Sequence, residues 1–186
     1  RNLVKGYAGP ISDQQRDVLG RIANQLDYLS HLVNDFLDLA ASKAPPTIGQ
    51  EGPVVLNLAV ARAVLVLQPR AEEKGIALVL RPCRDELVVW ASEEGLDNVF
   101  HNLVENAVKY TPPGGKVTVS VARGGEDSGA AGGLGRGEAH VTVTDTGIGI
   151  PVEAREHLFE EFYRAPNARA YEAVGTGLGL AIVKGL

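Results

Sequence analysis

The sequence predicts an α+β protein, in which one long amphipathic helix precedes a domain of alternating strands and helices. Three observations point there. Leu19, Ile22, Leu26, Leu29, Val33, Phe36 and Ala40 recur at alternating spacings of three and four, the pattern of a heptad seam. Beyond "PPTIGQEG" (45–52) the pattern changes to short β-branched runs separated by segments of helical length. Valines alternate at Val117, Val119 and Val121, and again at Val141 and Val143, the period of half-buried strands.

The first helix opens after Gly9-Pro10 with "SDQQ" (12–15), in which Ser12 and Gln15 form a capping box, and it ends before Pro45-Pro46. With Leu19 at position a, the outermost positions are Asn24, His31 and Asp38, with Asp27, Asn34 and Asp35 beside them. His31 thus points away from the seam among carboxylates that would repel a phosphate, and it reads as a surface residue. A lone helix cannot bury such a stripe, so a partner helix, a second copy of the chain, or both are expected. Arg1 to Ala8 reads as the end of that partner.

The organisation that follows is a helical part at 1–44, a linker at 45–52 and a second domain at 53–186. Within the last, the sequence predicts a strand near 54–56, a helix at 57–74 ending at Gly75, strands at 76–81 and 86–91, and a helix at 93–110 capped by Ser92. The valine strands come next, joined by "RGGEDSGAAGGLGRGE" (123–138). That stretch reads as a flexible connection, since it lacks the Lys-Ser/Thr ending and the helix of a phosphate cradle.

Composition narrows the function classes. A net charge of −5 argues against a dedicated polyanion-binding surface, so no nucleic-acid partner is expected. The single cysteine, Cys83, excludes an internal disulfide, suits a reducing compartment and reads as an inert packed thiol. No apolar run approaches membrane-spanning length, so no membrane contact and a cytoplasmic location are expected of this segment, while a longer parent is free to be anchored.

Four short stretches carry chemistry. In "HNLVENAVKY" (101–110), Asn102 and Asn106 share a helix face, with Lys109 about one turn further on. Two amides and an ammonium on one stripe suit a metal-bound polyphosphate, and equally a plain solvated face. "DTGIGI" (145–150) sends Asp145 from a strand into a turn where Gly147 and Gly149 remove side chains. It suits either an exocyclic amine and a flat ring or a simple strand-ending turn. "LFEEFYRA" (158–165) spaces Phe159 and Phe162 three apart, which on a helix means core packing. "GTGLGLAIVK" (175–184) runs three glycines into an apolar helix, where backbone amides attract phosphate.

In this order the four stretches resemble the N, G1, F and G2 boxes of the sensor histidine kinases, whose ATP-binding domain is of the type shared with gyrase and MutL. "GPISDQQRDVLGRIANQLDYLSHLVNDFLDLAASK" resembles the second helix of their dimerisation and phosphotransfer hairpin. The resemblance implies a two-layer α/β sandwich that holds ATP beneath a lid at about 163–176. By position, Asn106 coordinates Mg²⁺ with Asn102 beside it, and Lys109 and Tyr110 contact the phosphates and the nucleoside. Asp145, Gly147 and Gly149 form the adenine pocket, while Gly175, Thr176, Gly177, Leu178 and Gly179 cap the phosphates. Phe159 and Phe162 anchor the lid, and Arg164 or Arg169 neutralises phosphate from it. Asn102 stands where the related ATPases have a water-activating glutamate, so slow hydrolysis and a histidine acceptor are expected, while Glu105 and His101 suit assisting a deprotonation and equally plain solvent-exposed positions on the helix.

The resemblance also implies a homodimer through the hairpin and onward transfer to an aspartate of a response-regulator receiver domain. No histidine here fits the family's acceptor motif, which calls for a following acidic residue and usually a proline five positions on: His31, His101, His140 and His157 all fail it. The acceptor is therefore expected upstream of Arg1, by roughly three to six helical turns. The chain also stops before the family's last strands, so it reads as a fragment that binds ATP without phosphorylating itself. The competing readings are a degenerate nucleotide-binding scaffold that acts by dimerisation, and a serine kinase of the same fold, which the hairpin helix disfavours.

Overall fold

The computed structural model describes residues 12–43, 51–124 and 138–186. Arg1 to Ala8, most of the 45–52 linker and most of the 123–138 loop lie outside the described residues, as do the side chains of Asn24, Asp27, His31, Asp35 and Asp38.

Helix α1 (Asp13–Lys43) opens on the predicted capping box: the Ser12 amide donates to Gln15 Oε1 at 2.9 Å and the Gln15 amide to Ser12 Oγ at 3.2 Å. Its seam residues Ile22, Leu26, Leu29, Val33 and Phe36 are exposed, so the stripe is not buried among the described residues.

Strand β1 spans Glu51–Val55, earlier than the 54–56 that β-branched content suggests, because it pairs antiparallel with β3 (Val88–Ser92) from Glu51 opposite Ser92 to Val55 opposite Val88. Backbone pairing rather than side-chain type sets that start. Helix α2 (Leu56–Glu73) then buries Leu56, Ala59, Val60, Ala63, Val64, Leu67 and Ala71. It closes in a Schellman motif, with Gly75 at φ +69° donating to the Glu72 carbonyl and Ile76 to that of Ala71. Strands β2 (Ala77–Arg81), β4 (Lys116–Arg123) and β5 (Ala139–Asp145) form a second sheet, parallel between β2 and β4 and antiparallel between β4 and β5.

Helix α3 (Glu93–Tyr110) starts where Ser92 Oγ accepts the Gly95 amide at 3.2 Å, and its charges complement the helix dipole, with Glu93 and Glu94 first and Lys109 last. α2 and α3 lie side by side on the sheets, and their apolar faces join Leu78, Val117, Val119 and Val121 in one core. Arg62 of α2 bridges to Asp97 at 2.9 Å and to Glu93 at 2.9 Å on α3. These half-exposed pairs contribute about 0–1 kcal/mol, against about 1.5–3 kcal/mol for burying each core valine, so apolar packing sets the two-layer architecture. The strand and helix periodicities thus predicted the α+β class correctly. A 3₁₀ turn (Val152–His157), helix α4 (Pro166–Tyr171) and helix α5 (Gly179–Gly185) complete the described chain. α5 packs on both α3 and α1, and Leu178, Ala181 and Ile182 bury themselves with Leu39.

Two leucines of α2 test where the stability lies. Leu67 is 4% exposed and Leu65 is 73% exposed. Leu67→Ala is expected to cost about 2–5 kcal/mol and Leu65→Ala less than about 0.5 kcal/mol, read from the urea midpoint at constant m value.

Candidate functional site

The site is built on the face of α3 turned away from the core. Phe100, Val104, Ala107 and Val108 are buried inward, which leaves Asn102, Asn106 and Lys109 together on the other side. Asn102 Nδ2 donates to the Asn98 carbonyl at 2.9 Å, and this fixes the amide with Oδ1 directed at α5. The Asn106 side-chain amide makes no hydrogen bond among the described residues, so it remains available.

The glycine segment lies against this stripe. A Cβ on Gly179 would meet Asn102 Oδ1 at 2.5 Å, with Asn106 Nδ2 at 3.7 Å. A Cβ on Gly175 would meet Lys109 Nζ at 3.0 Å and the Arg164 guanidinium at 3.2 Å. Gly177 has φ +76°, and a Cβ there would strike the Phe162 backbone at 2.7 Å. A side chain at 179 would displace the Asn102 amide, and one at 175 would crowd the ends of Lys109 and Arg164. Burial pushes the Lys109 ammonium below the usual lysine range, with Glu105 and Glu172 opposing the shift and Arg164 and Arg70 adding to it.

The turn after β5 forms the other wall. Asp145 Oδ1 accepts the Gly147 amide at 2.8 Å, which leaves its second oxygen free of partners among the described residues. Gly147 sits where a Cβ would lie 2.6 Å from the Tyr110 carbonyl, and that carbonyl accepts the Ile148 amide at 3.1 Å. The turn is therefore seated on the end of α3. Gly149 has φ +68°, and its carbonyl accepts from Asn167 Nδ2 at 2.9 Å.

Several expected residues sit differently from the sequence reading. Leu178 is fully buried in the α1–α5 cluster and its amide donates to Thr176 Oγ1 at 3.3 Å, so its side chain faces the core rather than the cleft. Arg164 donates to the carbonyls of Glu172, Ala173 and Gly175, bracing its own loop. Glu105 is paired with Arg70, and His101 lies 3.8 Å from its other oxygen, so both belong to a surface ion network. "LFEEFYRA" forms no α-helix: Phe159 and Phe162 are 46% and 55% exposed, and Phe162 adopts φ +61°. The helical periodicity was misread there, because a left-handed residue breaks the segment.

Sequence reasoning missed Thr111 and Lys74. Thr111 is fully buried and donates to the Ala107 carbonyl at 2.7 Å. Lys74 Nζ donates to the Val108 carbonyl at 3.0 Å and to that of Lys109. A threonine directly after a helix and a lysine before a capping glycine are the local signals that would have found them. Among the described residues no group of three or more His, Cys, Asp or Glu is placed to hold a metal, and no helix is long and apolar enough to cross a membrane.

Residues 91–186 match the family described as histidine kinase-, DNA gyrase B-, and HSP90-like ATPase. The circadian input-output histidine kinase CikA of Synechococcus elongatus is 32% identical over 99% of this chain, which spans 23% of that protein. The histidine protein kinase DivJ of Caulobacter vibrioides is 35% identical over 98% of this chain, which spans 30% of it. Among solved structures, full-length ShkA in complex with AMPPNP superposes with a TM-score of 0.69 at 29% identity, over 97% of this chain and 35% of that one. With the two-layer fold, the amide stripe and the glycine segment that closes on it, the chain belongs to this ATPase family and carries the catalytic ATPase domain of a sensor histidine kinase.

Proposed function

We propose that the chain is the ATP-binding core that transfers the γ-phosphoryl group of Mg-ATP to a histidine outside residues 1–186, from which it passes to an aspartate of a response-regulator receiver domain. The observation that carries this reading is the close approach of Gly179 to Asn102 and Asn106 and of Gly175 to Lys109, which brings the backbone of the glycine segment up to a helix face that presents two amides and one ammonium. A polyphosphate with its cation fits that donor set. Mg²⁺ favours few protein ligands beside phosphate oxygens, so one amide oxygen suffices and no carboxylate cage is needed.

Each residue then has a role. Asn106, with an uncommitted amide, holds the cation, and Asn102 orients beside it. Lys109 neutralises phosphate charge, and Gly175, Thr176, Gly177 and Gly179 bring backbone groups close, joined by Leu178 through its backbone alone. Tyr110 borders the nucleoside. The free oxygen of Asp145 accepts the adenine amine over the surface opened by Gly147 and Gly149. The metal supplies charge neutralisation when bound, while the protein's part is positioning rather than acid–base chemistry. Asn102 is an amide that cannot activate water, which favours transfer over hydrolysis. Arg164 braces the lid that carries Gly175. The exposed stripe of α1 is the homodimer surface.

Asn106→Ala and Asp145→Ala in the intact parent are each expected to abolish labelling by γ-labelled ATP, and undiminished labelling of both would refute the reading. In this chain, Gly179→Ala should weaken Mg-ATP binding about fivefold or more in a fluorescent-analogue titration, since overpacking costs about 1–3 kcal/mol. The Lys109 charge attracts phosphate only while protonated, and its pKa lies below the usual lysine range. Affinity is therefore expected to fall as pH rises through that lowered value, before an ordinary lysine would titrate. Lys109→Arg should flatten the profile, because the guanidinium stays charged.

A further inference from the structure

Lys74 lies outside the four sequence boxes, at the end of α2. Its ammonium donates to the carbonyls of Val108 (3.0 Å) and Lys109, two groups that the end of α3 leaves without helical partners. The same ammonium lies 5.4 Å from the centre of the Tyr171 ring, the last residue of α4 in the lid. One cation thus faces both the helix that presents Asn106 and Lys109 and the segment that leads into Gly175.

We propose that Lys74 is a positioning residue of the nucleotide site, a latch that fixes the last turn of α3 and holds the lid against it through Tyr171. This rests on the nucleotide-binding reading above. Lys74 reaches the site only through its neighbours: the carbonyl it holds belongs to Lys109, whose own ammonium stands against Gly175. Burial and nearby Arg70 push the Lys74 pKa down while Glu172, next to Tyr171, pushes it up, so its charge is partly desolvated against the lid. A cation above an aromatic face gains strength under that condition.

The test uses the 186-residue chain with two readouts: trypsin cleavage after the exposed Arg169 in α4, followed by mass spectrometry, and titration with a fluorescent Mg-ATP analogue. Lys74→Met and Tyr171→Leu are each expected to speed that cleavage severalfold and to weaken affinity about fivefold. The double variant should bind about as well as Lys74→Met alone, because both changes break one contact. Lys74→Arg, which keeps a charged donor, should recover most of the affinity. The latch alone is overturned if the unmodified chain binds while Lys74→Met and Tyr171→Leu bind as tightly, or if their losses multiply in the double variant. If the unmodified chain binds no nucleotide, the functional reading falls and takes the positioning role with it.

Discussion

The last turn of α3 leaves four carbonyl groups without helical partners, and the way those four are satisfied sets where each wall of the site lies. Ala107 takes the hydroxyl of buried Thr111, Val108 and Lys109 take the ammonium from the end of α2, and Tyr110 takes the Ile148 amide. Together they bring in three elements: the turn into β4, helix α2, and the turn after β5. Unpaired carbonyls there would cost about 1–3 kcal/mol apiece, so this junction is fixed energetically as well as geometrically.

With α3 held at that end, the site needs little else to be rigid. Val104 and Val108 are fully buried, and the amide stripe opposite them inherits the precision of the core. The glycine segment is less constrained by packing and more by exclusion. Its backbone sits where no side chain fits at 177 or 179 without displacing its neighbours, so the sequence specifies closeness by leaving atoms out. Lys109 bears the electrostatic cost of this arrangement, a cation partly withdrawn from water among Arg70 and Arg164 with Glu105 and Glu172 nearby. Anionic phosphate at that position would relieve the repulsion.

Much of this was readable in the chain itself because the signals were local. Ser12 and Gln15 cap α1, and Ser92 caps α3, each through a partner three residues away, and alternating valines mark β4 and β5. The stripe of Asn102, Asn106 and Lys109 follows from helical period alone. What escaped depended on contacts far apart in sequence. Lys74 acts 34 residues from Val108, and Arg70 meets Glu105 across 35. The segment 158–165 was misjudged for another reason: Phe162 takes a left-handed backbone conformation that costs about 1–2 kcal/mol for a residue with a Cβ, and nothing in its composition announces that. Leu39, one step off the heptad seam, likewise carries no local signal of its burial against Leu178, Ala181 and Ile182.

That leucine makes the burial of α5 conditional on the azimuth of another helix. Leu39 is the single buried side chain among those described in α1, and it seals Leu178, Ala181 and Ile182. Neighbouring residues on an α-helix are separated by about 100° of rotation, so turning α1 by one residue's worth would carry Leu39 away from the cluster. Two of the three residues it would uncover belong to the helix that begins at Gly179, with Leu178 immediately before it. The orientation of α1 about its own axis is therefore written into the solvation of the helix that begins at Gly179, and a rotation of one helix has an apolar surface to expose on its neighbour.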